Sequence, residues 1–371
     1  MTPACKYQGT YFDPSGYGEA NRNFITALYL AGVNITTERV IQVSERAEFG
    51  WTGNLCKQLE NLDIDYKIKI IHLTPDLYPK YMESGKYHIG HLFWETDLLP
   101  KEWIAPCNKM DEIWTASPRQ QEIFKKSGVK TPTYCFPQAI DMTYSDKNIV
   151  PYQIADFKGM VFYSIFQWIE RKNPRALLTS FWKAFEGKKD VCLVIKTYGQ
   201  NYSDEEFERI KREAFEWKRQ LNLLHYPKVF LVRKLMSTEE TYRLHETGDC
   251  FVLATRGEGW GIPVTEACLR NKPVISIDKT GVLDFLPKTS YFPCSTDSTE
   301  VTRENSISWY VNPQNWLNIS EDELRKNLLE VYNERLLAKE KADKAKAWVS
   351  DNLDYWRVGN LMKERLSQIQ V

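Results

Sequence analysis

The sequence has no surplus of charge of either sign: Lys plus Arg and Asp plus Glu stand at 49 each over 371 residues. Without a net field there is no long-range pull toward nucleic acid or anionic membrane, so any polyanion must meet a local basic patch. The N-terminus lacks the basic, then apolar, then cleavable pattern of a leader, and no apolar run approaches the roughly 18 to 20 residues of a membrane span. These absences predict a cytoplasmic protein and leave only peripheral membrane contact open, because an interfacial helix needs no long apolar run. CxxC pairs and His partners at metal-ligand spacing are also missing. Cys5, Cys56, Cys107, Cys135, Cys192, Cys250, Cys268 and Cys294 are scattered, several inside runs such as Val191-Cys192-Leu193-Val194, and read as reduced core residues. There is no internal repeat and no low-complexity segment, which excludes solenoids and long flexible tails.

What is present is length, aromatic surface and alternation. A chain of 371 residues exceeds one ordinary core, so two domains and a cleft are expected. The 12 Trp, 20 Tyr and 17 Phe supply flat amphipathic faces that suit both packing and sugar stacking. Short β-rich runs alternate with helical patterns throughout, the mark of parallel sheets with crossover helices. Strands are expected at Lys6–Gly9, Val33–Val40, Ile68–Leu73, Ile89–Trp94, Glu112–Ala116 and Thr133–Phe136, then at Met160–Phe166, Val191–Lys196, Val229–Val232, Cys250–Ala254 and Pro273–Ile277. The polar segment Pro137–Lys158 reads as the linker. Ser203–Leu221 opens on Ser-Asp-Glu-Glu and sets Phe207, Ile210, Ala214, Trp217 and Leu221 on one face; its polar face mixes both signs, so packing on a sheet is favoured over a membrane surface. Ser320-Glu321-Asp322-Glu323 reads as a capping box with Leu324, Leu328 and Tyr332 on one stripe, and a last helix runs from Asp354 to about Ile369.

The sharpest local signal is Cys250-Phe-Val-Leu-Ala-Thr-Arg-Gly-Glu-Gly-Trp-Gly-Ile-Pro-Val-Thr-Glu-Ala267: a strand, a glycine turn, then a helix. Gly257, Gly259 and Gly261 let backbone approach a ligand, Pro263 suits the first helical turn, and the amides there attract an anion. Glu258 lies in the turn and Glu266 eight positions on, in the helix. A diphosphate at the helix start would leave one carboxylate beside the donor sugar and the other beside the ribose hydroxyls.

This stretch resembles the Glu, seven residues, Glu motif of the family 4 retaining glycosyltransferases (glycosyl transferases group 1), including its Gly-Trp-Gly-Ile-Pro-Val interior. A second stretch, Phe162-Tyr-Ser-Ile-Phe-Gln-Trp-Ile-Glu-Arg-Lys-Asn-Pro174, is similar to the family's first donor-domain strand and basic loop, which makes Arg171 and Lys172 candidates to neutralise the leaving phosphate. The family pattern has Arg five residues before the Lys, where this chain has Gln167. Either Arg171 takes over that charge, which its adjacency to Lys172 favours, or the leaving group is held with one cation fewer. Asp13-Pro-Ser-Gly-Tyr-Gly-Glu-Ala-Asn-Arg-Asn23 resembles the N-terminal loop facing the donor phosphates, with Gly16 and Gly18 as its informative positions. His91-Leu-Phe-Trp-Glu-Thr-Asp-Leu-Leu-Pro-Lys-Glu-Trp103 and Asp111–Ser117 resemble acceptor-domain segments, and Glu95 and Asp97 end an expected strand, where open α/β sheets place ligands. His72 and Lys196 each end a strand as well: His72 could reach the donor sugar or be a core histidine, and Lys196 could contact phosphate or simply terminate its strand.

The resemblance runs from about residue 8 to about residue 360. It implies a GT-B fold: an N-terminal Rossmann-like acceptor domain over 1–150, a C-terminal Rossmann-like donor domain over 151–353, and a helix at 354–371, around Trp356, crossing back to the first. Glu258, Arg171 and Lys172 would be catalytic, and Gly16, Gly18, Gly259, Trp260, Gly261, Ile262, Glu266 and Lys196 would bind the donor, with His72, Glu95 and Asp97 as second-tier cleft residues. The substrates would be a nucleoside-diphosphate sugar and a hydroxyl acceptor (glycan, lipid-linked or other). No cofactor and no metal are expected, since the cations and helix amides do a metal's work. Competing readings are a glycosyltransferase acting on a modified DNA base, which the neutral charge argues against, a nucleotide-sugar epimerase or hydrolase, and a silent sugar-binding module, against which Glu258, Glu266 and Lys172 speak. Gly-Tyr-Gly-Glu-Ala-Asn is an imperfect dinucleotide fingerprint lacking its third Gly, so an NAD oxidoreductase rests on little.

Overall fold

In the computed structural model the described residues are 3–40, 48–154, 157–301 and 307–370; positions 155 and 156 of the expected linker and position 371 of the last segment lie outside them. The chain divides into two compact units, Met1–Thr143 with Val349–Val371, and Tyr144–Trp348. Each is built on a six-stranded sheet whose paired strands all run parallel. Parallel strands covered on both faces read as apolar runs rather than as alternation.

In the first unit the elements run β1 (Ala4–Gly9), α1 (Gly16–Leu30), β2 (Asn34–Arg39), α2 (Gly50–Gln58), β3 (Ile68–His72), α3 (Tyr78–Tyr81), β4 (Tyr87–His91), α4 (Lys101–Cys107), β5 (Glu112–Thr115), α5 (Pro118–Ser127) and β6 (Thr133–Cys135). The sheet order is β2-β1-β3-β4-β5-β6, so the order reverses between β1 and β3, at the carboxyl ends of which lie Gly9 and His72. The strand expected to reach Trp94 stops at His91. The reason is in the side chains: Trp94 Nε1 donates to Thr96 Oγ1 and to the Leu98 carbonyl, both at 2.7 Å, and its ring packs edge-on against Trp103. Glu95 and Asp97 therefore sit in the segment beyond the strand.

In the second unit β7 (Met160–Gln167), α6 (Pro174–Ala184), β8 (Val191–Tyr198), α7 (Asp204–Leu221), β9 (Lys228–Val232), α8 (Thr238–Thr247), β10 (Cys250–Leu253), α9 (Ile262–Leu269), β11 (Val274–Ile277) and β12 (Phe292–Cys294) form the sheet β12-β11-β10-β7-β8-β9 with its helices. An antiparallel hairpin, β13 (Thr296–Glu300) and β14 (Asn315–Ile319), follows, and then α10 (Glu321–Asn333). Neither β12 nor the hairpin is an expected strand: Pro293 interrupts the first, β13 has no apolar residue, and Asn315 and Asn318 break up β14. The Ser203 hydroxyl caps α7 by accepting from Glu206 N, and Trp217 of that helix stacks on Trp168 at 5.8 Å, so the expected apolar face does pack. The Ser320 capping box is only half made. Ser320 Oγ accepts from Glu323 N, but the Glu323 carboxylate accepts from Ser295 N instead of returning to the cap; the full box occurs at Ser237 and Glu240, starting α8.

α11 (Arg335–Asn352) carries the division between the units, and α12 (Tyr355–Gln368) belongs to the first. There it lies along α1. Tyr355 Oη donates to Asn23 Oδ1 at 2.7 Å, and Arg365 donates through Nε and Nη2 to the buried Glu112 carboxylate at 3.0 and 2.6 Å. The two helices approach so closely at Gly359 that a Cβ there would stand 2.0 Å from the Ala27 carbonyl oxygen. Gly359→Ala forces them apart, and overpacking of this kind costs about 1–3 kcal/mol. The expected result is a lower urea midpoint with the slope unchanged, the shift multiplied by the slope giving that loss; a midpoint equal to the parent's would show that the contact is soft.

Candidate active site

In an open parallel sheet the ligand crevice lies outside the carboxyl ends of the strands where the order reverses. In the second unit that point is between β7 and β10. The loop leaving β7 carries Arg171 and Lys172 on a single 3-10 turn, Glu170–Lys172, which ends at Asn173 in the left-handed region (φ 52°) so that its side chain caps α6 through Ala176 N. The loop leaving β10 carries Glu258 and turns into α9 at Gly261, whose φ of 89° suits only glycine without strain.

The two loops meet through a buried ion pair. Lys172 Nζ donates to both oxygens of Glu258, at 2.6 and 2.7 Å. Arg171 Nη1 lies 3.7 Å from Glu258 Oε1 and donates to the Gly257 carbonyl at 2.7 Å. Beneath the side chains, Arg256 N donates to Arg171 O at 2.6 Å, and Thr255 Oγ1 donates to the same oxygen at 3.2 Å. Glu258 is 6% exposed. Burial pushes its carboxyl up, and the charges of Lys172 and Arg171, with the Lys172 hydrogen bond, outweigh burial and hold it below the ordinary carboxylate range. The loop is steadied from the other side by Thr280, whose hydroxyl accepts from Glu258 N at 3.2 Å and whose own N donates to Asp284 Oδ1 at 2.9 Å. Thr280 holds a φ of 84°, a conformation that a threonine adopts only under local constraint.

Apart from Gly16 and Gly18, which belong to the first unit, the rest of the expected donor set lies on the same unit. Trp260 and Ile262 are buried, and the Trp260 carbonyl accepts from Val282 N at 2.8 Å. Glu266 is buried on α9 with its Oε2 3.1 Å from His245 Nε2. Lys196 lies two residues inside the end of β8, its ammonium 3.3 Å from Tyr202 Oη and over the Tyr198 ring, and its charge acts on Glu266. Gln167 is occupied otherwise than a cation would be: its amide donates to Gly199 O at 3.1 Å. Among the described residues no three His, Cys, Asp or Glu side chains form a cluster of the kind that holds a metal ion, and no helix is long and apolar enough to cross a membrane.

The first unit presents Gly16, Gly18 and His72 at its β1/β3 reversal and Glu95 and Asp97 beyond the end of β4. Gly16 is already the first residue of α1, so the glycine loop is shorter than the sequence suggests, and Gly18 is tight against Asp13, whose carbonyl oxygen a Cβ would approach to 2.1 Å. His72 is 0% exposed, with Nδ1 2.5 Å from Tyr7 Oη and its ring stacked on His91 at 4.1 Å. Asp97 accepts from Lys126 Nζ at 3.1 Å, and Glu95 is half-buried. Residues that sequence reasoning missed are Thr255, Arg256 and Thr280 around Glu258, and His245 and Tyr163 behind Glu266. No spacing rule announces them.

Two parallel sheets with crossover helices, one carrying a cationic loop and a glycine turn at its reversal point, define the GT-B class of fold. Residues 158–290 match the family model described as Glycosyl transferases group 1, a span that contains the whole of this loop pair. Among solved structures the chain is similar to HepE of Anabaena in complex with UDP and glucose, with TM-score 0.69 and 14% identity over 99% of this chain and 100% of that one. It is also similar to sucrose-phosphate synthase of Thermosynechococcus elongatus, with TM-score 0.68 and 13% identity over 99% and 98%. A third structure, described as trehalose-6-phosphate from E. coli bound with UDP-2-fluoro glucose, gives TM-score 0.68 and 10% identity over 99% of each chain. At such identities the likeness is one of fold. A search of the curated proteins found no match. The chain is a GT-B fold protein in which residues 158–290 match the Glycosyl transferases group 1 model.

Removing Lys172 leaves Glu258 as a buried carboxylate with only Arg171 near it, and breaking a buried pair in this way costs about 3 kcal/mol. Lys172→Met should lose that stability at pH 8 in urea unfolding. A carboxyl held below its ordinary value contributes stability above the unfolded value and loses it as pH falls through the folded one. The gap between parent and variant should therefore narrow toward pH 4; a gap that stays constant from pH 8 to pH 4 would show that the loss is packing alone.

Proposed function

We propose that the chain is a retaining glycosyltransferase that moves a sugar from a nucleoside diphosphate to an acceptor hydroxyl, with the donor held by the second unit and the acceptor by the first. The observation that carries this reading is the convergence of Glu258 on Lys172 at 2.6 Å, beside Arg171 and immediately before the α9 N-terminus, with Glu266 farther along the same helix. The two cations and the carboxylate stand together at the carboxyl ends of β7 and β10, where a diphosphate would lie. The dipole of α9 adds partial positive charge at its start.

On this reading Arg171 and Lys172 take up the charge that develops on the departing phosphate, the largest stabilising term for such a step. Glu258, held as an anion, accepts hydrogen bonds from the donor sugar hydroxyls. Glu266 accepts the ribose hydroxyls. The bond from the anomeric carbon to the phosphate oxygen breaks while the bond to the acceptor oxygen forms on the same face, and the acceptor proton passes to the departing phosphate. Every step is served by side chains and amides of the chain itself, and the reading calls for no metal.

A thermal-shift panel of UDP, GDP, ADP and NAD tests the donor site, since a ligand at 100 times its Kd adds about 2.7 kcal/mol of stability. One nucleoside diphosphate should raise the Tm; stabilisation by NAD alone, or by none, would refute the reading. With the active donor, Glu266→Ala should raise KM while Lys172→Ala mainly lowers kcat, and product NMR should show the donor's anomeric configuration, unaffected by EDTA.

A further inference from the structure

Behind Glu266 runs a line of buried hydrogen bonds that the steps above do not use. Glu266 Oε2 lies 3.1 Å from His245 Nε2, and His245 Nδ1 lies 2.8 Å from Tyr163 Oη. Glu266 is 3% exposed and the other two are 0% exposed. The three side chains come from three elements, α9, α8 and β7. The phenol fits because position 248 is glycine: a Cβ there would stand 1.9 Å from Tyr163 Cδ1.

While the line holds the carboxyl proton, donor and acceptor counting leaves two ways to fill it. A third filling, with neutral His245 donating from Nε2 to an ionised Glu266 and accepting from the Tyr163 phenol at Nδ1, is reached once that proton has left. In the neutral form the Glu266 carboxyl O–H donates to Nε2, and Nδ1–H donates to the phenol oxygen. In the charge-separated form the same proton sits on Nε2, the imidazolium donates from both nitrogens, and Glu266 is a carboxylate. The forms differ by one proton moved along one hydrogen bond. Burial pushes the Glu266 carboxyl up to about 8, against the pull of the Lys196 charge from β8. On the far side, Cys250 of β10, Cys268 of α9 and Glu246 of α8 join Glu266 in disfavouring a charged Tyr163, which burial already keeps as a phenol. In the unliganded chain the neutral form is thus the resting one. A carboxyl that spends its proton on His245 and then meets two ribose hydroxyls, both donors, serves them best as a carboxylate.

We propose that His245, backed by Tyr163, is a positioning residue that takes the proton from Glu266 when a nucleoside diphosphate binds, so that nucleotide binding proceeds without exchanging that proton with solvent. The Glu266 O–H bond breaks and the His245 Nε2–H bond forms. The inference rests on the reading of Glu266 as the ribose ligand.

The sign of the pH dependence follows. A carboxyl with a raised value must lose its proton to bind, so without an internal acceptor binding weakens as pH falls below about 8, by ~tenfold per pH unit. Calorimetric titration with UDP at pH 6, 7 and 8, in two buffers of different ionisation enthalpy, reads both affinity and net proton release. For the parent the expected affinity varies less than threefold beyond the nucleotide's own titration, with no proton released from the protein. His245→Gln should match the parent within a few fold at pH 8, lose about tenfold per pH unit below it, and release close to one proton at pH 7. Tyr163→Phe keeps the ring beside Gly248 and should show a shallower slope of the same sign. If the parent binds UDP and both variants follow its pH profile and proton release, the relay is overturned while the ribose site stands. If GDP or ADP proves to be the ligand, the same titration is run with it; if the parent binds none of the three, the ribose reading falls and the relay with it.

Discussion

The buried pair of Lys172 and Glu258 is the interaction on which the rest of the second unit's crevice depends. A carboxylate removed from water must meet a cation and fill its remaining lone pairs, or it takes up a proton. Here each oxygen accepts from the same ammonium, with a guanidinium 3.7 Å from one of them. Because the two loops leave β7 and β10, the strands on either side of the sheet's reversal, the pair fixes the floor of the crevice. The main-chain bond from Arg256 N to Arg171 O repeats the connection one layer down. Arg171 is held the same way, spent partly on the Gly257 carbonyl, so the cations are oriented before any ligand arrives. Preorganised charge of this kind is what transition-state stabilisation asks of a site.

Much of this was legible in the residues, for reasons that also explain what was not. Buried parallel strands such as Cys250–Leu253 and Val274–Ile277 announce themselves as apolar runs bounded by turns, and the whole string from Cys250 to Ala267 gave Glu258 and Glu266 together. Arg171 and Lys172 stand on the turn after β7, as their place in the sequence suggests, and the amide of Gln167 serves Gly199. The end of β4 was misplaced because Leu92, Phe93 and Trp94 look like strand, whereas Trp94 turns its indole to Thr96 and Leu98. The hairpin of β13 and β14 was missed because neither of its strands reads as the apolar run that marks a buried parallel strand. The layer behind the carboxylates was out of reach for a different reason. Thr280 lies 22 positions from Glu258 and Tyr163 lies 82 from His245, separations that only the folded sheet closes.

The first unit shows how a strand-end residue can be correctly located yet face inward. His72 ends β3, beside the reversal of strand order, as its sequence suggests. Its Nδ1 is nonetheless taken by the Tyr7 phenol, and its ring is stacked on His91. Desolvation keeps both imidazoles neutral, His72 well below its ordinary value and His91 down at about 3. A histidine so enclosed contributes shape and a fixed tautomer rather than a titrating charge.

The contrast between the two carboxylates of the glycine turn completes the logic. They are separated by two turns of chain and are buried alike, yet their surroundings push them in opposite directions. Glu258 faces two cations that outweigh its burial and hold it below the ordinary carboxylate range; burial pushes Glu266, opposed only by the charge of Lys196, up to about 8. On the proposed reading, two anions flanking the start of α9 would oppose the cations that a diphosphate needs, so a proton kept on Glu266 favours its approach. His245, the group able to receive that proton, is already hydrogen-bonded to the carboxyl that carries it.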